Sequence, residues 1–207
     1  MLDIFQFMIL QFHDTSLWEI VAVLLAIAYL LLAVRENILC WYCALFSTAI
    51  FIFLFWDVRL LMESALNVFY LIMAVYGWQQ WKYGGTKKSG VIISTLDRRQ
   101  NIMIIGVILI MTLISGWLLA QHTDAVWPYV DSFTTWASVI TTVMVAKKIL
   151  ENWLYWLVID SVSVPLYIDR GLYLTAILFL GYLVIVIFGY FKWRRHLFEQ
   201  NSLAAPT

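Results

Sequence analysis

The sequence predicts an all-α polytopic membrane protein of seven transmembrane helices, built from two copies of a three-helix unit joined by one further helix. Three observations carry this. Of the 207 residues 63% are hydrophobic and only 13% charged, with a mean hydropathy of +0.85, whereas soluble domains run at roughly 45–50% apolar and about 25% charged. The chain holds seven apolar runs on the scale of the roughly 20 residues that a bilayer core requires. A short phrase also recurs. Glu36-Asn37-Ile38-Leu39-Cys40-Trp41 and Glu151-Asn152-Trp153-Leu154-Tyr155-Trp156 stand 115 positions apart, each before an apolar run.

The first fifteen residues contain Asp3 and Asp14 but no Lys or Arg, so the basic flank of a secretion signal is missing. Span one covers 17–34. Span two, 38–56, contains Cys40 and Cys43; a CxxC inside an apolar run, with no βαβ context, reads as small packing residues rather than a redox or metal pair. Span three, 60–81, follows after only Asp57-Val58-Arg59, which makes an antiparallel hairpin. A polar linker over 82–101 leads to span four, 102–120. Span five, 130–146, is short and polar and begins beside Trp127-Pro128-Tyr129, an interfacial aromatic cluster. Spans six and seven, 152–168 and 172–191, turn at Asp169-Arg170-Gly171 and form a second hairpin.

The recurrence extends beyond the opening phrase. Gly77-Trp78-Gln79-Gln80-Trp81-Lys82 matches Gly189-Tyr190-Phe191-Lys192-Trp193-Arg194 at an offset of 112, and Arg59 matches Arg170 at 111. Segments 17–81 and 130–191 thus read as two copies of one unit. Three helices carry the chain across the membrane, so span four must return it for the second copy to keep the same orientation. The expected architecture is a 3+1+3 parallel repeat, a transporter plan in which substrate sits near the midplane between the halves. Eleven of the thirteen basic residues fall on one side, with only Arg59 and Arg170 on the other. That asymmetry sets the N-terminus outside and the C-terminus in the cytoplasm. It also explains the basic residues without a nucleic-acid partner.

Polar groups kept inside apolar runs face a cavity or a neighbouring helix. Glu63 and Asn67 share one face of span three. Thr134, Ser138, Thr141 and Thr142 line one face of span five, where close helix packing is an equally good explanation. Span six carries Asp160, with Ser161 and Ser163 nearby and no Lys or Arg at its depth. An ionisable group there costs roughly 2.5–3.5 kcal/mol on insertion scales; a cationic ligand, or protonation, would relieve it. Trp153, Trp156 and Trp78 lie in or at the ends of the repeated phrases, and indole faces bind flat aromatic cations. The candidate substrate-binding residues are therefore Asp160, Asn67, Glu63, Trp153, Trp156, Trp78, Trp136, Ser138 and Thr142.

These segments carry a family likeness. Tyr76-Gly77-Trp78-Gln79-Gln80-Trp81, then Lys147-Lys148-Ile149-Leu150-Glu151-Asn152-Trp153-Leu154-Tyr155-Trp156, then Pro165-Leu166-Tyr167, resemble the PnuC-type vitamin transporters over about Trp18 to Trp193. The resemblance implies a SWEET-like fold of inverted orientation in a bacterial inner membrane, and a homotrimer. It also implies facilitated diffusion of an unphosphorylated B-vitamin that cytoplasmic phosphorylation then traps, with no cofactor and no metal. Nicotinamide riboside carriers of this kind tend to have Gln where Asn67 stands and Asn where Asp160 stands. Those departures are more similar to the thiamine-transporting PnuT branch, so thiamine is the expected substrate and nicotinamide riboside the alternative.

An intramembrane enzyme acting on the same vitamin is disfavoured. His13, His122 and His196 fall outside the predicted spans, and Gly84-Gly85-Thr86-Lys87-Lys88 lacks the GxxxxGK[ST] spacing of a phosphate loop. A receptor or purely structural bundle would make no use of two similar halves.

Overall fold

Ser16 begins the first helix. In extended conformation (φ −68°, ψ 150°), it accepts the Glu19 amide on its hydroxyl at 3.1 Å, satisfying a donor that a helix start leaves free. The computed structural model describes residues 16–57, 61–85, 88–123 and 126–204, save a few side chains, that of Glu63 among them. Arg59 lies outside the described residues, as does the side chain of Glu63. Among the described residues seven helices follow in order: α1 Leu17–Val34, α2 Cys40–Asp57, α3 Leu61–Tyr83, α4 Arg98–His122, α5 Pro128–Ala146, α6 Asn152–Asp169 and α7 Tyr173–Ala204. The all-helical expectation holds. Helices α1, α4 and α7 are each long and apolar enough to cross a membrane unaided.

Two boundaries differ from the hydropathy reading for a clear reason. Helix α4 starts at Arg98 rather than 102 because Asp97 and Gln100 form a capping box. The Gln100 amide donates to Asp97 Oδ1 at 2.7 Å, and the Asp97 amide to Gln100 Oε1 at 2.9 Å. Helix α7 continues past 191 to Ala204 through polar residues that favour helix, including the exposed Arg195–Glu199 pair at 2.9 Å. At about 1.5 Å per residue it outruns a bilayer core of about 30 Å. Hydropathy reads where lipid ends, not where the helix does.

The packing closes a ring. Helix α1 packs on α2 and α2 on α3; α5 packs on α6 and α6 on α7; and the two sets meet twice, α3 against α5 and α1 against α7. Helix α4 stands outside the ring, packed mainly on α5 and touching α6 where the Tyr155 hydroxyl donates to Asn101 Oδ1 at 3.2 Å, and it exposes Ile102, Met103, Ile110 and Leu113 as an apolar surface. Helix bounds recur 112 positions on: Val34 with Ala146, Cys40 with Asn152, Asp57 with Asp169, Leu61 with Tyr173. Glu36 and Lys148, also 112 apart, both hold left-handed backbone, at φ 52° and 51°.

This register corrects one reading of the sequence. The two similar phrases, aligned at 115, are three residues out; Trp153 corresponds to Trp41, and Lys148 to Glu36. Three residues are most of one helical turn, so the shifted alignment kept nearly the same face and looked sound. The two glutamates accordingly do different work. Glu151 accepts the Leu96 amide at 3.1 Å, while Glu36 pairs with Lys148.

The linker between α3 and α4 is strapped down rather than free. Ile93 is buried, the Ser94 amide donates to the Lys148 carbonyl at 3.1 Å, and the Leu150 amide donates to the Ser94 carbonyl at 2.8 Å. Arg35, Lys82, Arg98, Lys147, Lys148 and Arg194 all belong to this end of the molecule. At the opposite end Arg170 grips Asp131 through both carboxylate oxygens at 2.8 and 2.7 Å, and the Trp127 indole donates to Asp169 at 2.8 Å.

Candidate functional site

Asp160 sits midway along α6 and is 3% exposed. It makes no hydrogen bond or ion pair among the described residues, and Tyr182 of α7 lies within range of its charge. One turn on, Pro165 has no N–H to give, so the Ser161 carbonyl loses its helical donor. Ser161 and Ser163 spend their hydroxyls on their own helix, donating to Leu157 O at 2.7 Å and Ile159 O at 2.9 Å. A carboxyl group so placed is relieved by a proton or by a cation brought from outside the chain.

Asn67 is buried on α3, one turn from Ser64, whose hydroxyl ties α3 to α2 by donating to Ile52 O at 3.1 Å. On α5 Ser138, Thr141 and Thr142 are all buried. Thr142 donates back to Ser138 O at 2.7 Å, whereas the Thr141 hydroxyl, fully buried, has no partner among the described residues. Asn67, Ser138 and Thr142 thus belong to α3 and α5, which pack together across the ring, and Asp160 to α6 beside α5.

The tryptophans divide. Trp136 turns outward to α4, where its indole donates to Ser115 Oγ at 3.0 Å; two residues from Ser138 is about 200° of helical rotation, so the two cannot share a cavity. Trp78 packs edge-on against Tyr42 and Tyr83, both part-exposed, with the Lys82 ammonium 4.8 Å from its ring centre. That is an interfacial setting, away from Asp160. Trp153 is 1% exposed and wedged on Gly189, where a Cβ would lie 2.7 Å from the ring. Its indole N–H has no partner among the described residues. Trp156 is half-buried and bridges the main core to the smaller one around Ile108, Ala137 and Ile159.

One arrangement was not anticipated from the sequence. Four indoles run across the basic end of the ring: Trp41 to Trp81 at 5.4 Å, Trp81 to Trp193 at 6.1 Å and Trp193 to Trp153 at 5.3 Å between ring centres. Trp81 donates to Val145 O at 3.2 Å and Trp193 to Ala33 O at 3.1 Å, each reaching from one helix set to the other. Gly77 and Gly189 admit Trp41 and Trp153. Extending the 112 offset of the Gly77 and Gly189 phrases upstream would have paired Trp41 with Trp153 and revealed the pattern.

Comparison with known proteins agrees with this architecture. A family model described as nicotinamide mononucleotide transporter matches residues 16–195. The nicotinamide riboside transporter PnuC of Escherichia coli (strain K12) is 22% identical, over 93% of this chain and 91% of its own. The riboflavin/roseoflavin transporter RibM of Streptomyces davaonensis is 23% identical, over 88% and 87%. A crystal structure of the vitamin B3 transporter PnuC has the same fold, with a TM-score of 0.70 at 21% identity, covering 93% of this chain and 91% of that one.

Proposed function

The chain belongs to the nicotinamide mononucleotide transporter family, and on that premise we propose that it carries nicotinamide riboside, a cationic pyridine nucleoside, across the cell membrane. The observation that carries this reading is Asp160, a buried carboxyl group with no basic partner among the described residues, in a chain whose family is described as nicotinamide mononucleotide transporters. The pyridinium of the substrate supplies the missing charge. Asn67 offers directional hydrogen bonds to the sugar or amide, and Ser138, Thr142 and Trp156 line the approach. Glu63 remains a second candidate acid on α3.

The two three-helix sets act as parallel halves that rock about the site, α4 returning the chain between them. The basic end is cytoplasmic, as the excess of Lys and Arg requires, which leaves the N-terminus outside the bacterial inner membrane. Transport is uniport, with phosphorylation in the cytoplasm retaining the product, and the carrier assembles as a homotrimer. The relatives are transporters rather than enzymes.

Thiamine is the second reading. Asp160 and Asn67 favour it by their departure from the residues expected in nicotinamide riboside carriers. Charge does not separate the two, since both vitamins are permanent aromatic cations, and the relatives named above carry nicotinamide riboside and riboflavin. That moves nicotinamide riboside to the front. Calorimetric titration of the detergent-solubilised protein decides. We expect tighter binding of nicotinamide riboside than of thiamine, and at least about tenfold weaker binding, 1.4 kcal/mol, in Asp160→Asn. Tighter binding of thiamine would transfer the assignment, and unchanged affinity in Asp160→Asn would remove that residue from the site.

A further inference from the structure

The indole row crosses the basic end of the ring, and beside it stands a separate charged contact between the two helix sets. Glu36, in the turn between α1 and α2, reaches across to the other helix set. Its Oε2 accepts from Lys148 Nζ at 2.9 Å and its Oε1 from His196 Nδ1 at 2.6 Å. A carboxylate only accepts, so His196 Nδ1 carries the proton. The Glu36 and Lys148 side chains are 14% and 12% exposed, so the pair is poorly screened. Burial alone pushes the Glu36 carboxyl up, but the hydrogen bonds from His196 and Lys148 outweigh it and hold the group below its usual range. Lys148 also sits 4.6 Å from the centre of the Trp81 ring, joining the ion pair to the indole row.

The positions matter as much as the contact. Glu36 and Lys148 occupy corresponding sites of the two sets, each in the turn after the first helix and each in left-handed backbone that non-glycine residues seldom adopt. Two equivalent turns therefore carry opposite charges and meet face to face. A static scaffold has no need of a strained, oppositely charged pair at that seam. A carrier that must open there does need a contact that is strong when closed and that water replaces when open.

We infer that the Glu36–Lys148 bridge, with His196 as its second strand, is the latch of the cytoplasmic gate, holding α1–α2 against α5–α6 and α7 until substrate releases it. This rests on the transporter reading given above, but its test needs no substrate, so either can fail without the other. Cys40, the first residue of α2, is 0% exposed beside this seam and within range of the Lys148 charge. With Cys43→Ser in place it is the single thiol of the chain.

The experiment measures the rate at which a maleimide alkylates Cys40 in Glu36→Lys, in Lys148→Glu and in the double exchange. Only protein that stays monodisperse and fully helical in detergent is scored, and Glu36→Gln replaces the reversal if that variant does not fold. Each single change should speed labelling by at least about tenfold, the effect of an opening cost lowered by 1.4 kcal/mol. The double exchange should bring the rate back to within about threefold of the parent, since it restores the pair. Unchanged rates in the single variants would overturn the latch, as would a double exchange that labels as fast as either single.

Discussion

At the scale of single residues, the fold depends on two places where a side chain is absent. Gly189 lets Trp153 lie against α7, and Gly77 does the same for Trp41 on α3. Gly189→Ala drives a methyl into the Trp153 ring, an overpacking that costs about 1–3 kcal/mol. Gly181, on the same helix with nothing near its absent Cβ, is the control. There alanine should be neutral or should stabilise by roughly 0.5–1 kcal/mol through its helix preference. Thermal unfolding in detergent separates them: a lowered midpoint for Gly189→Ala beside an unchanged or raised one for Gly181→Ala. Equal shifts would mean that the Trp153 wedge is loose. Asp160 stood out in the sequence as a charge in an apolar run, and the structure buries it at 3% exposure; its part in binding is the proposal made above. Trp136 was misread because an aromatic residue advertises burial without saying which neighbour it faces.

At the scale of helices, the order and approximate ends of the seven described helices were legible from apolar runs bounded by charge and turn residues, although only α1, α4 and α7 are apolar over a bilayer's width. Not legible were the extension of α7, which is polar, and the register between halves, which six similar letters set three residues out. Register lives in long-range contacts such as the crossing hydrogen bonds from Trp81 and Trp193. Those two bonds occupy corresponding positions, so removing either should cost the same. Trp81→Phe and Trp193→Phe each keep an aromatic ring and remove one hydrogen bond to a carbonyl that retains the Lys148 or Glu36 amide as a donor, a loss of about 0.5–1.5 kcal/mol. Their unfolding midpoints should fall together. A fall in only one of them would show that the two halves are held differently at this end.

At the scale of the whole molecule, a ring of six helices that buries Asp160 and is bridged at its basic end by Glu36 and Lys148 fits the transporter family to which the chain belongs. The proposed substrate would add a driving force: a net cation entering down a potential of 100 mV, negative inside, gains about 2.3 kcal/mol with no coupled ion. The central claim is therefore uniport of a cationic vitamin, and uptake of labelled nicotinamide riboside into proteoliposomes tests it most directly. With no proton or sodium gradient, uptake should proceed and should rise when an inside-negative potassium diffusion potential is imposed. Uptake that occurs only under an imposed proton or sodium gradient would contradict the account.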